Sequence, residues 1–161
     1  MSTIGAARKA TRDKKHAAIV AAFAAWEAKN GRWARMELTI NGPPAIKKNQ
    51  KQIFRGRGGR PFITPSEKYK QWAAYAEMMI KIGGTKGLPT IPREVCLRCE
   101  IKSYLPDKRR VDLDNLYAGP QDVLQSAGVI EDDYSIVSHD GSRRFVDPEN
   151  PRVEIVLERM F

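Results

Sequence analysis

Long apolar runs are missing from this 161-residue chain: no stretch approaches the ~18 consecutive apolar residues that a membrane-spanning helix needs. Cysteine is nearly absent, with two residues in total, Cys96 and Cys99, and histidine is as rare. The cysteines have C-x-x-C spacing, but they sit in the alternating run "REVCLRCEIKSYL". Residues three apart on a strand face opposite ways, so the pair suits neither a chelate nor a disulfide. With no second Cys or His cluster to complete four ligands, a structural zinc site is excluded. His16 and His139 have no partner at a useful spacing and read as surface residues, His139 with a remote role in phosphate contact.

Acidic residues are scarce in the first 60 positions, where 14 Lys and Arg meet only 3 acids, a net of +11. Residues 61–161 carry 14 basic against 16 acidic side chains, which brings the whole to +9. A basic half joined to an acidic patch is the charge plan of a metal-dependent enzyme that acts on a polyanion. The cations collect phosphate, and the carboxylates hold the ion that does the chemistry. The alternative is a solvated acidic surface on a merely basic protein. The start, "MSTIGAARKATRDKKHAAIVAAFAAW", is basic and then Ala-rich like a secretion signal, but Trp26, Glu27 and Lys29 break it and no clean cleavage site follows. The expectation is a cytoplasmic protein with no membrane contact.

Hydrophobic patterning predicts the elements. Residues 3–30 read as a helix stopped by Gly31, with Ile19, Val20, Phe23 and Trp26 as an apolar stripe. Its first turns crowd Arg8, Lys9, Arg12, Lys14 and Lys15 against the helix dipole, which favours fraying there. This helix could bind DNA, pack on the body or contact a second subunit. "RMELTING" alternates as a strand. Residues 45–62 read as a Gly-rich basic loop carrying Lys47, Lys48, Lys51, Arg55, Arg57 and Arg60, mobile until phosphates order it. Phe54 and Phe62 flank that loop, a place from which aromatics anchor to a core more often than they stack on bases. "TPSEKYKQWAAYAEMMIKIGG" predicts a helix with Thr64 as N-cap, Pro65 at its first position and Glu67 closing a capping box. Strands follow at Val95–Ile101, along "SIVSHDGSRRFV" with a bulge near Gly141, and at "RVEIVLERM". No internal repeat is present. The predicted fold is α+β, a small mixed sheet with packed helices, divided into a helical extension (1–34) and a main domain (35–161).

The chemistry concentrates in "RRVDLDNLYAGPQDVLQSAGVIEDD". If Asp112 and Asp114 are extended, a spacing of two puts both carboxylates on one side, a natural pair for Mg²⁺, which takes few carboxylates and keeps several waters. A helix starting near Asp114 would be capped by it and would turn Asp122 toward the same place. The acids Glu131, Asp132 and Asp133 come after a stop at Gly128. D-x-D alone is common on surfaces; D-x-D-N-L, a short helix, Gly and an acidic pair are far more specific.

This pattern, "LPDKRRVDLDNLYAGPQDVLQSAGVIEDD", resembles the RusA family of Holliday junction resolvases. "FITPSEKYKQWAAYAEMMIK" resembles that family's helix and "RVEIVLE" its last strand, so the likeness spans roughly residues 35–160. The resemblance implies a RusA-like fold and a homodimeric endonuclease of the kind phages and prophages encode. Such an enzyme uses Mg²⁺, or Mn²⁺ in its place, to cut branched DNA at four-way junctions during recombination and repair. By motif position Asp112, Asp114 and Asp133 are the catalytic metal ligands, and Asp122 and Asp132 support them. Lys47, Lys48, Lys51, Arg55, Arg57, Arg60, Lys108, Arg109 and Arg110 are the DNA-binding set. The family's lysine, six residues after the first Asp, is Ala118 here. A second reading therefore keeps the fold and the junction binding but not the cutting. Pro120 would cost a helix begun at Asp114 a hydrogen bond; a start at Gly119 with Pro120 in the first turn avoids that.

Overall fold

A computed structural model describes residues 3–46, 51–55, 61–83, 85 and 87–161. Helix α1, Thr3–Asn30, runs unbroken through its basic first turns. Gly31 ends it at φ 87°, its N–H reaching the Glu27 carbonyl at 2.8 Å. Its attachment is one-sided and late: residues 5–15 are all exposed, His16 and Ile19 are half-buried, and Phe23 enters the core.

The main sheet places β1 (Arg35–Asn41), β7 (Arg152–Arg159) and β4 (Leu97–Leu105) side by side, β7 antiparallel to both neighbours. Alternation decides its faces. Leu38 and Ile40, Leu97, Cys99 and Ile101, and Val153, Ile155 and Leu157 all point into one core. β5 (Ile136–Ser138) and β6 (Arg143–Val146) both lie parallel to β4, β5 against its beginning and β6 against its end. The single bulged strand expected over 135–146 is therefore two strands, parted by a turn at Gly141 with φ 87°. The fold is α+β with a mixed five-stranded sheet, as the patterning predicts.

The segment expected to be a loop is corrected in part. β2 (Lys51–Arg55) and β3 (Pro61–Pro65) form a separate antiparallel hairpin that sets Phe54 opposite Phe62. Thr64 belongs to that hairpin, paired with Gln52, so it does not cap the next helix. Helix α2 (Glu67–Gly83) is capped by Ser66, whose hydroxyl accepts the Tyr69 N–H at 3.1 Å. Glu67 turns to Lys70 instead of closing a capping box. Tyr69, Trp72, Ala76 and Ile80 bury one stripe of α2.

Helix α3, Leu113–Ser126, contains Pro120, so the later start at Gly119 is overturned. Gly119 and Pro120 are both buried, and a Cβ on Gly119 would sit 3.2 Å from the Trp72 ring of α2 and 3.4 Å from the Ala45 carbonyl. Pro120 offers no N–H to the Leu116 carbonyl, so α3 goes without one hydrogen bond there. Cys96 and Cys99 are both free; burial pushes the Cys99 thiol up to about 12. Among the described residues, no helix is long and apolar enough to cross a membrane.

Candidate active site

The acidic stretch is held by a small cluster apart from the main core: Ile46, Leu105, Val111 and Leu116. Val111 and Leu116 pin the chain on either side of Asp112, Leu113 and Asp114, which are left exposed. Asp112 is extended (φ −72°, ψ 145°) and is itself the N-cap residue of α3, although its side chain caps nothing. Asp114 is already in the first helical turn. The two therefore do not share an extended segment, and Asp114 is not the cap. Asp133 opens a short 3-10 turn, Asp133–Ser135, and is exposed.

The other three acids of the stretch are engaged internally. Asp122, half-buried, accepts a hydrogen bond from the Tyr69 hydroxyl at 3.0 Å, which turns it toward α2. Burial, and next the charge of Asp122, pushes that hydroxyl well above its ordinary value. Asp132 caps the 3-10 turn, its carboxylate accepting the Tyr134 N–H at 3.0 Å. Glu131 takes Nδ1–H of His16 at 2.8 Å and the Arg93 N–H at 3.3 Å. By contrast, Asp112, Asp114 and Asp133 make no side-chain hydrogen bond or ion pair among the described residues.

These three aspartates are not drawn to ligand spacing. Among the described residues, the group whose ligand atoms lie within 4.8 Å of one another is His16, Glu94 and Glu131. That group was missed in the sequence, where His16 reads as a surface residue. Its Nε2 meets Glu94 at 3.0 Å while Nδ1 meets Glu131, so the ring lies between two carboxylates and latches α1 to the body. The partners are 115 residues apart in the chain, and no local spacing announces them. His139 is also internal: Nδ1–H donates to the Cys99 carbonyl at 2.9 Å, Gln121 donates to Nε2 at 2.8 Å, and the ring stacks on Tyr117 at 4.7 Å.

Of the basic set, Lys108, Arg109 and Arg110 are exposed in the turn before Asp112. Arg109 folds back on Asp107 at 2.6 Å and pulls that carboxyl down to about 2, so much of its charge is neutralised locally. Lys51 and Arg55 occupy the two ends of β2. Lys47, Lys48, Arg57 and Arg60 lie outside the described residues. A cation not singled out in the sequence also reaches the turn: Arg144 of β6 donates to the Val111 carbonyl, one residue before Asp112.

The topology and the acidic turn together define an α+β domain whose exposed carboxylates follow the exposed basic turn at 108–110 closely in the chain. Residues 41–158 match the family model of Endodeoxyribonuclease RusA. The chain belongs to this family of nucleases. The match starts inside β1 and leaves α1 outside it. No curated protein matches the sequence.

Proposed function

We propose that this protein is a metal-dependent endonuclease that cuts four-way DNA junctions, acting as a homodimer in recombination and repair in a bacterial or phage-infected cytoplasm. The observation that carries the reading is the division among the acids. Three are spent on internal hydrogen bonds, while Asp112, Asp114 and Asp133 stand exposed and, among the described residues, uncommitted.

The donor set fits the ion. Three carboxylates supply hard oxygen ligands, and exposed side chains leave room for the waters that Mg²⁺ or Mn²⁺ retains. Asp112, Asp114 and Asp133 would hold the ion, which when bound lowers the pKa of a water and offsets charge on the phosphate. The rest falls to this chain's own side chains. Ile46 shares the cluster that seats Val111 and Leu116. Lys108 and Arg110, with the basic side chains of residues 47–60, grip the DNA backbone. Ala118 supplies no charge, and Arg144, fixed on the Val111 carbonyl, stands in for the family's lysine as electrostatic stabiliser. Asp122 and Asp132 support the site by holding α3 on α2 and by shaping the 3-10 turn.

The test uses a labelled synthetic four-way junction with Mg²⁺ and, separately, Mn²⁺. Paired symmetric nicks from the parent and none from Asp114→Asn, with binding retained by both, are the expected result. Junction binding without nicks under either ion refutes the enzyme and leaves a binding protein of the same fold.

A further inference from the structure

The front half of α1 has no part in the site described above, and its charge pattern is peculiar. The inward stripe of the helix reads, toward the N-terminus, Trp26, Phe23, Ile19, then Lys15, Arg12, Arg8. These steps of three and four keep all six on one helical face. Over the last half that face packs on the body, with Phe23 only 4% exposed; over the first half every residue from 5 to 15 is exposed. The apolar stripe therefore turns cationic where the helix leaves the body. From Thr3 to Lys15 the overhang is about 20 Å long, at ~1.5 Å per residue.

A merely solvated arm would intersperse acids with its cations, because i,i+4 pairs of opposite sign stabilise a helix. Here Arg8, Lys9, Arg12, Lys14 and Lys15 meet only Asp13. Arg8 and Arg12 repel across one turn. An aligned, uncompensated row of cations is satisfied by a polyanion. The arm is also fixed in place where it leaves the body: His16, the residue after Lys15, is latched to Glu131, two positions before Asp133. We propose that residues 3–15 of α1 form a DNA-binding arm, in which Arg8, Arg12 and Lys15 hold the phosphates of a duplex arm of the substrate next to the acidic turn. The junction substrate rests on the function proposed above; the binding of duplex DNA does not.

The test compares the full-length parent with the triple variant Arg8→Gln, Arg12→Gln, Lys15→Gln and with Lys29→Gln, an exposed lysine at the far end of the same helix. Gln forms helix nearly as well as Arg or Lys, and circular dichroism checks that helix content is kept. Affinity for a labelled four-way junction and for a linear duplex is measured without Mg²⁺ from 50 to 200 mM salt. Three lost phosphate contacts, at a log–log slope of about −0.9 each, lower the salt slope by about 2.7. The parent then loses about 40-fold more affinity than the variant across that range, while Lys29→Gln follows the parent. Equal slopes for parent and triple variant overturn the arm, and so does a parent that binds no DNA. Loss of self-association in light scattering with the salt slope intact also overturns it, assigning the stripe to a second copy of the chain. Binding with the slope difference but no cutting supports the arm and sinks the nuclease reading alone.

Discussion

Asp122→Ala separates a supporting carboxylate from a catalytic one. Tyr69 is 5% exposed, and its hydroxyl donates to Asp122 at 3.0 Å, joining α2 to α3. Removing the carboxylate leaves the hydroxyl of a largely buried tyrosine without this charged acceptor. A hydrogen bond to a charged group is worth about 1.5–3 kcal/mol, and Ala regains about 0.5 kcal/mol of helix propensity over Asp. The net cost is about 1–2.5 kcal/mol, or roughly 2–10 °C in Tm for a chain of this size. Tyr69→Phe removes the donor instead and leaves the half-buried Asp122 carboxylate in place, so it costs less, about 0.5–1.5 kcal/mol. Urea unfolding with unchanged m-value gives both numbers, and the double variant gives their coupling. In the junction assay at a temperature where every variant is folded, Asp122→Ala cuts near the parental rate, whereas Asp114→Asn does not cut. The reasoning fails if Asp122→Ala is as stable as the parent, if Tyr69→Phe is the costlier change, or if Asp122→Ala abolishes cutting without loss of fold.

Three further outcomes are expected. Arg144→Gln slows single-turnover cutting by about 10²–10³-fold, as loss of one well-placed electrostatic stabiliser does, and Ala118→Lys on that background restores part of the rate. Gly141→Ala destabilises more than Gly42→Ala in urea unfolding. Both have positive φ, with about 1–2 kcal/mol of left-handed strain, but only at Gly141 does the new Cβ meet a side chain, the Glu100 carboxyl at 2.9 Å. Glu100 is held below its ordinary value of 4.5 by its hydrogen bond to Lys102, with Arg98 adding to the pull. Its folded value is depressed, so its stabilisation is complete above that pH and is lost as pH falls through the lower value; Glu100→Gln flattens the acid limb of a stability–pH curve.

Period and motif are local properties, and they made much of this protein legible in the sequence. Alternation identified β1, β4 and β7, and the Gly31 stop ended α1 at Asn30, because burial of one face writes itself into spacing of two or three to four. The acidic motif likewise pointed to the family, whose model covers residues 41–158. Cap and turn chemistry were read less well. Ser66 rather than Thr64 caps α2, because Thr64 is claimed by a hairpin whose pairing is a contact between strands. α3 runs through Pro120, and its Gly119 lies close against Trp72, a demand made by another helix. The sequence by itself determined the helices, the three central strands of the main sheet and the presence of six acids in one stretch, but not the β2–β3 hairpin. Only the tertiary structure decided which of them are used up: Asp122 by Tyr69, Asp132 by the 3-10 turn, and Glu131 by a histidine 115 residues away. Tyr69 and His16 lie 53 and 115 residues from the carboxylates they engage, distances that neither period nor motif encodes, so the freedom of Asp122 and Glu131 to act is settled by packing.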